Sequence, residues 1–422
     1  MKHPRRFLVA AVLCAAPAVT LGVELTISCG AVGIEGELCQ QATAAWARQT
    51  GHSVTIDVPP QATDQRYFKY LIDLNNADSG VDVYQIDVIW PGLLASHLVD
   101  LNEYIPAEDV QQHHPAIVAN NTVDGRLVGM PWFTDLGLLY YRKDLLEKYQ
   151  QALPQTWAEL GEVAARIQAE ERDAGNEELW GYVFQGDNYE GLTCNALEWI
   201  SAHGGGTFVD AEGNITVDNP DAARALSQVA DWVGRIAPPR VTRYIEEDAR
   251  ITFQRGNAVF MRNWPYAWYL LNADDSPVKD QVGVAPLPQG GDSGRSASTL
   301  GGWQLAVSKY SEHPEEAADL VRYLTSAAVQ KSRAVKGSYA PTIMALYEDP
   351  QILAANPFFE SLPPILENAV ARPSAVTGQN YMAVTTHIWE TVHDVLRGDI
   401  AADIGLDRLQ DRLRLVRTRG RW

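Results

Sequence analysis

Over its first hundred residues the chain alternates between two hydrophobic periods, and this constrains the fold more than any other feature. Val23, Leu25 and Ile27 alternate with polar neighbours, as in a strand. Leu38, Ala42, Ala45 and Trp46 then recur at helical spacing, and Val54, Ile56 and Val58 alternate again. A second helical stretch uses Tyr67, Tyr70, Leu71 and Leu74, and a third apolar strand covers residues 83–89. The pattern is βαβαβ. Two right-handed crossovers of this kind give a parallel, doubly wound α/β sheet, whose ligands lie outside the carboxyl ends of the strands. Those ends fall at residues 29–37, 59–66 and 87–92. Each holds a charged group that a packed core would exclude: Glu35, Arg66 and Asp87.

Helices dominate the middle of the chain. Thr156-Trp157-Ala158-Glu159 is a capping box opening a helix that carries Leu160, Val163, Ala164 and Ile167 on one face. Leu226, Val229, Ala230 and Val233 mark another, closed by Pro238-Pro239. A third begins at Pro314, with Glu315 and Glu316 at the positive end of its dipole. Short apolar runs at 258–261 and 304–307 fit strands. A chain of 422 residues holds two or three domains. No repeat, charge block or low-complexity linker divides it, so the domains are expected to be interwoven.

Composition narrows the partners. The chain has 34 basic and 53 acidic residues, a formal charge of −19, so phosphate backbones and anionic bilayers would repel it. Nucleic acid is excluded as a partner on this ground. The one long apolar stretch, 7–19, follows Lys2, Arg5 and Arg6 and ends near Ala16-Pro17-Ala18. It is too short to span a bilayer and reads as an export signal over residues 1–22, cleaved near 18–22. Cys14 follows Leu13 rather than a small residue, which argues against lipid attachment there. In an oxidising compartment Cys29 and Cys39, ten residues apart, are expected to bond, leaving Cys194 as a free thiol.

Motifs for catalysis are missing. There is no phosphate-cradling glycine loop, HExxH, paired CxxC or GxSxG elbow, and the histidines lack ligand spacing, so no cofactor or metal is expected. His203-Gly204-Gly205-Gly206 echoes an oxyanion loop, but without a serine elbow it reads as a turn. What the chain offers instead is carboxylates, arginines and tryptophans in unusual settings. Asp87 ends an apolar strand. Asp135 lies in Pro131-Trp132-Phe133-Thr134-Asp135-Leu136-Gly137, Trp264 follows Met261-Arg262-Asn263, and Trp303 follows Gly301-Gly302. A carboxylate bridges neighbouring hydroxyls, a guanidinium donates to hydroxyl or ring oxygens, and an indole covers the C–H face of a sugar. Carbohydrate is the ligand this set suits. A glycoside hydrolase would want the same groups, with two acids about 5–10 Å apart. A polyamine or peptide binder would suit the acidic charge but not Arg66 and Arg372.

These segments resemble the extracellular solute-binding proteins of ABC sugar importers. The export signal, the opening strand, Val88-Ile89-Trp90 after Asp87, and Pro131-Trp132-Phe133-Thr134-Asp135 continuing into Gly137-Leu138-Leu139-Tyr140-Tyr141-Arg142 carry the resemblance, with Met261-Arg262-Asn263-Trp264-Pro265 and Gly301-Gly302-Trp303. The trehalose/maltose-binding branch is the most similar. The resemblance implies a two-lobed periplasmic-binding-protein fold, each lobe a doubly wound α/β sheet, with the ligand cleft between lobes. It implies a first lobe of 23–131 plus 286–310 and a second of 132–285 plus 311–422. Glu35, Arg66 and Asp87 would bind sugar hydroxyls from the first lobe, and Asp135, Trp264 and Arg372 from the second. Gly302 and Trp303 would lie where the chain crosses. The implied function is non-enzymatic: capture in the periplasm of a neutral α-glucoside such as trehalose or maltose, by a monomer that delivers it to the permease subunits of an ABC importer.

Overall fold

The computed structural model describes residues 22–290, 294–420 and 422. The export-signal expectation, residues 1–22, therefore lies almost wholly outside the described residues. Among those described, no helix is long and apolar enough to cross a membrane.

The first lobe is built on β1 (Glu24–Ser28), β2 (Ser53–Asp57) and β3 (Val83–Asp87), with helices Glu35–Thr50 and Thr63–Asn75 between them. β1 pairs in parallel with both β2 and β3, the arrangement that βαβαβ requires. After a small hairpin of β4 (Thr122–Val123) and β5 (Arg126–Leu127) come β6 (Met130–Leu136) and β7 (Leu138–Arg142). The second lobe adds β8 (Trp180–Val183), β9 (Ala258–Asn263) and β10 (Val282–Pro286), and β11 (Leu300–Val307) returns to the first. The five-stranded sheet runs β2-β1-β3-β11-β6 and the four-stranded sheet β10-β7-β9-β8. β11 is antiparallel to both β3 and β6. Both sheets are thus mixed, because strands from the crossing segments complete what the local crossovers begin.

Hydrophobic clustering corrects the lobe boundaries. Helix Pro314–Thr325 was assigned to the second lobe, yet Ala317, Leu320, Val321 and Leu324 pack with Leu25, Ile27 and Trp46 of the first. Strand β6 belongs to the first sheet as far as Leu136, and Leu287 and Ala297 pack in the second cluster. Sequence periodicity reports which face of an element is apolar, not which sheet will cover it. The passage from β6 to β7 is made by Gly137 alone. A Cβ there would stand 1.9 Å from Glu198 Oε1 and 2.7 Å from Arg262 Nη2, so no side chain fits.

Other local expectations match. Thr156 caps helix Trp157–Asp173 by accepting from the Glu159 N–H. His203 and the glycines after it form a turn beyond helix Glu190–Ala202, with Gly204 and Gly206 at positive φ. Cys29 and Cys39 are bonded and Cys194 is free and buried.

Candidate functional site

The first wall of the cleft forms where strand ends meet helix starts. Glu35 is the first residue of helix Glu35–Thr50, where the dipole favours a negative charge. The Cys29–Cys39 disulfide ties the end of β1 to this helix. Glu35 is buried, and its Oε1 accepts from Gln85 Nε2 at 2.8 Å while Oε2 accepts from the Ala31 N–H at 3.3 Å. Asp87 ends β3 opposite Trp303 of β11. Its Oδ1 accepts from the Ile89 N–H at 3.1 Å and from Arg372 Nη2 at 2.9 Å.

Arg372 joins the two walls. Its Nη1 donates at 3.0 Å to Glu190 Oε1, on the first residue of helix Glu190–Ala202 in the second lobe. Glu190 also accepts from Tyr381 Oη and Thr385 Oγ1. Burial raises the Glu190 carboxyl above its ordinary range, and Arg372 and the Tyr381 hydroxyl offset part of that rise. Gln379 Nε2 donates to the Gly92 carbonyl, a second bond across the cleft. The lobes are closed on one another.

Two indoles complete the lining. Trp264 follows β9, and its Nε1 donates to Glu246 Oε1 at 3.3 Å. Arg262 lies 3.7 Å from the centre of its ring and is itself held by Glu198 through Nε at 2.9 Å and Nη2 at 2.5 Å. Glu246 also accepts from Tyr189 Oη, and burial raises its carboxyl. Trp303 has the Arg66 guanidinium 4.2 Å from its ring centre and Trp90 edge-on at 5.7 Å. Gly301 and Gly302 let β11 approach β6. Gly302 has φ +134°, and a Cβ on it would meet the Phe133 carbonyl at 2.8 Å. A Cβ on Gly301 would meet Asp135 and the ring of Trp264.

Glu35, Asp87, Asp135, Trp264, Gly302, Trp303 and Arg372 line one cavity between the lobes. Residues 33–331 match the bacterial extracellular solute-binding protein family. This chain is a member of that family. A probable ABC transporter-binding protein of Deinococcus radiodurans is 51% identical over 399 residues, covering 94% of each chain. The maltose-bound structure of T. maritima MalE3 has 39% sequence identity and a TM-score of 0.89, covering 94% of this chain and 100% of that one. The mannitol-binding protein of Pseudomonas aeruginosa is 25% identical over 315 residues, 70% of each chain.

Two expectations for this solute-binding protein change. Arg66 is fully buried behind the wall, with Trp303 over its guanidinium and Nε donating to the Pro60 carbonyl at 3.1 Å. It backs an indole and does not line the cavity. Asp135 comes from β6 of the first sheet rather than from the second lobe, because the chain crosses two residues later. Lining residues that sequence reasoning missed include Glu190, Glu246, Tyr266 and Tyr339. Arg333, which stands behind the lining, was missed as well. It is 2% exposed, lies 3.7 Å from Glu35 Oε1 and rests on the Trp132 ring at 3.8 Å. The acids at 190 and 246 each start a helix, where they read as favourable dipole partners. Only Trp264 and Arg372 nearby in space mark them as part of a site.

Proposed function

We propose that this solute-binding protein captures a neutral α-glucoside disaccharide, such as maltose or trehalose, by lobe closure in the periplasm, and presents it to the permease subunits of an ABC importer. The observation that carries the reading is a closed cavity that combines two indoles with hydrogen-bonding carboxylates and Arg372 from both lobes. Indole faces suit the C–H faces of pyranose rings, and ionised groups give hydrogen bonds of about 1.5–3 kcal/mol each to hydroxyls. The maltose bound to a relative of 39% identity supports the same class of ligand. Glu35, Asp87, Asp135, Trp264, Gly302, Trp303 and Arg372 contact the sugar in this reading, and Arg66 acts through Trp303. The protein works as a monomer without cofactor and returns the sugar unchanged.

Calorimetry against maltose, trehalose, sucrose, mannitol and glucose tests the class. One disaccharide is expected to bind well above the rest and to be recovered intact. Mannitol binding alone would replace the glucoside by a polyol, and hydrolysis products would recast the carboxylates as catalytic acids. Asp87→Asn swaps a charged double acceptor for one acceptor and one donor, so affinity should fall by about 1.5–3 kcal/mol. Arg372 keeps Glu190 as its partner in that variant, so the fold should survive.

A further inference from the structure

We infer that Asp135 meets the captured sugar as a neutral acid, donating its O–H to a ligand oxygen used as an acceptor, while Glu35 and Asp87 accept from ligand hydroxyls. This deepens the sugar-binding reading and rests on it. Asp135 lines the cavity and is 7% exposed, and its Oδ1 is wholly buried without a hydrogen-bond partner among the described residues.

Three of the charged groups around it are of the same sign, and among the described residues neither nearby cation donates to it. Glu35 heads the first helix, Asp87 ends β3, and Glu246 heads helix Glu246–Gln254, all three repelling a charge on Asp135. Of the cations, Arg262 on β9 gives Nε and Nη2 to Glu198 and Nη1 to Gln185 Oε1 at 3.1 Å. Arg333, on helix Ala327–Gly337, lies against Glu35 and the Trp132 ring, and its nitrogens have no hydrogen-bond partner among the described residues; its charge, like that of Arg262, favours an ionised Asp135, but burial and the neighbouring acids outweigh both. The neighbouring phenols donate elsewhere: Tyr140 to the Trp264 carbonyl, Tyr339 to that of Val32, and Tyr347 to that of Pro341. An ionised carboxylate buried among such neighbours is costly, and the group escapes the cost by holding its proton. Burial first, then the charges of Glu35 and Asp87, push its titration well above the ordinary carboxylate range.

A protonated carboxyl supplies one donor. The ligand must therefore offer a lone pair at this point, from a ring oxygen, a glycosidic oxygen or a hydroxyl turned to accept. Asp135 thereby selects against an analogue with C–H in that place, because its O–H would then be buried unpaired.

Two measurements test this. In the unliganded protein at neutral pH, the infrared difference between wild type and Asp135→Asn should contain the C=O band of a protonated carboxyl. Carboxylate bands in its place would overturn the inference whatever the ligand is. Calorimetry with maltose should show wild-type affinity falling by about tenfold or more as pH rises through the titration of Asp135. Asp135→Ala should lose about tenfold at the acid end, and Asp135→Asn should recover most of that loss through its N–H and stay flat with pH. A pH-independent wild type, with Asp135→Asn as weak as Asp135→Ala, would overturn the donor role. If maltose gave no heat at any pH, the ligand reading would fail instead, and the infrared band would decide the inference alone.

Discussion

Each lobe offers one tryptophan to the cleft, and each indole rests on a guanidinium, yet the two supports are built differently. Behind Trp264, Arg262 and Glu198 are both 0% exposed, and every nitrogen of the guanidinium has a partner. Behind Trp303, Arg66 has only the Pro60 carbonyl on Nε, and neither Nη1 nor Nη2 has a partner among the described residues. The Arg262–Glu198 pair closes its charge within the second lobe. The first lobe leaves polar groups without hydrogen-bond partners beside the cavity, at Arg66 and again at Asp135. A compensated platform is rigid, and its loss should register in the fold. An uncompensated one should register in binding.

Glu198→Ala is the most severe way to break that contrast. It strands the Arg262 charge in the core and should cost about 3–5 kcal/mol in denaturant unfolding, with sugar affinity falling in whatever fraction still folds. An unchanged midpoint would mean that the pair carries no structural load. Trp303→Ala comes next. It should weaken disaccharide binding about tenfold while barely shifting the melting temperature of the unliganded protein. A large drop in melting temperature with normal binding would return Trp303 to the core and leave stacking to Trp264. Arg66→Met is smaller again. It keeps the bulk and removes the cation–π contact, worth about 0.5–2 kcal/mol, and its effect should appear in affinity through Trp303.

A last test sharpens the comparison from the other side. The Asp135 carboxyl titrates higher in the folded chain than in the unfolded one. Its favourable contribution is therefore present at pH below about 4 and is lost as pH rises through the folded value. Asp135→Asn should accordingly be more stable than wild type at pH 7, and the two should converge near pH 4, as read by thermal unfolding across pH. A stability gap independent of pH would show that Asp135 does not change charge.

What could be read from the residues divides along the same line between local and non-local. The βαβαβ unit is fixed by periods within single elements, so Glu35 and Asp87 could be placed at strand ends before any pairing was known. Arg66 satisfied the same positional rule but was drawn under Trp303, which lies 237 positions further along the chain. Arg333 sits in Gln330-Lys331-Ser332-Arg333, which looks like an ordinary solvated helix face; its burial follows from helix Ala327–Gly337 packing near Glu35. The sheet membership of Asp135 depended on β11 pairing with β6, and no local pattern encodes that register.

That pairing also governs how such a protein can be recombined. The four-stranded lobe is inserted between β6 and β11, which are neighbours in one sheet. A single genetic crossover with a relative anywhere between 137 and 299 would therefore give the first lobe one parent's β6 and the other's β11, with mismatched side chains along the seam between them. A cassette with one junction at Gly137 and another just before Leu300 spares that seam but splits the second lobe, because helices Tyr381–Leu396 and Ala402–Gly420 pack on helices Glu190–Ala202 and Pro220–Trp232 and would have to travel with it. A clean exchange of ligand-binding halves in such a scaffold therefore takes two matched pieces, the segment between β6 and β11 and the C-terminal helices, not a front half joined to a back half.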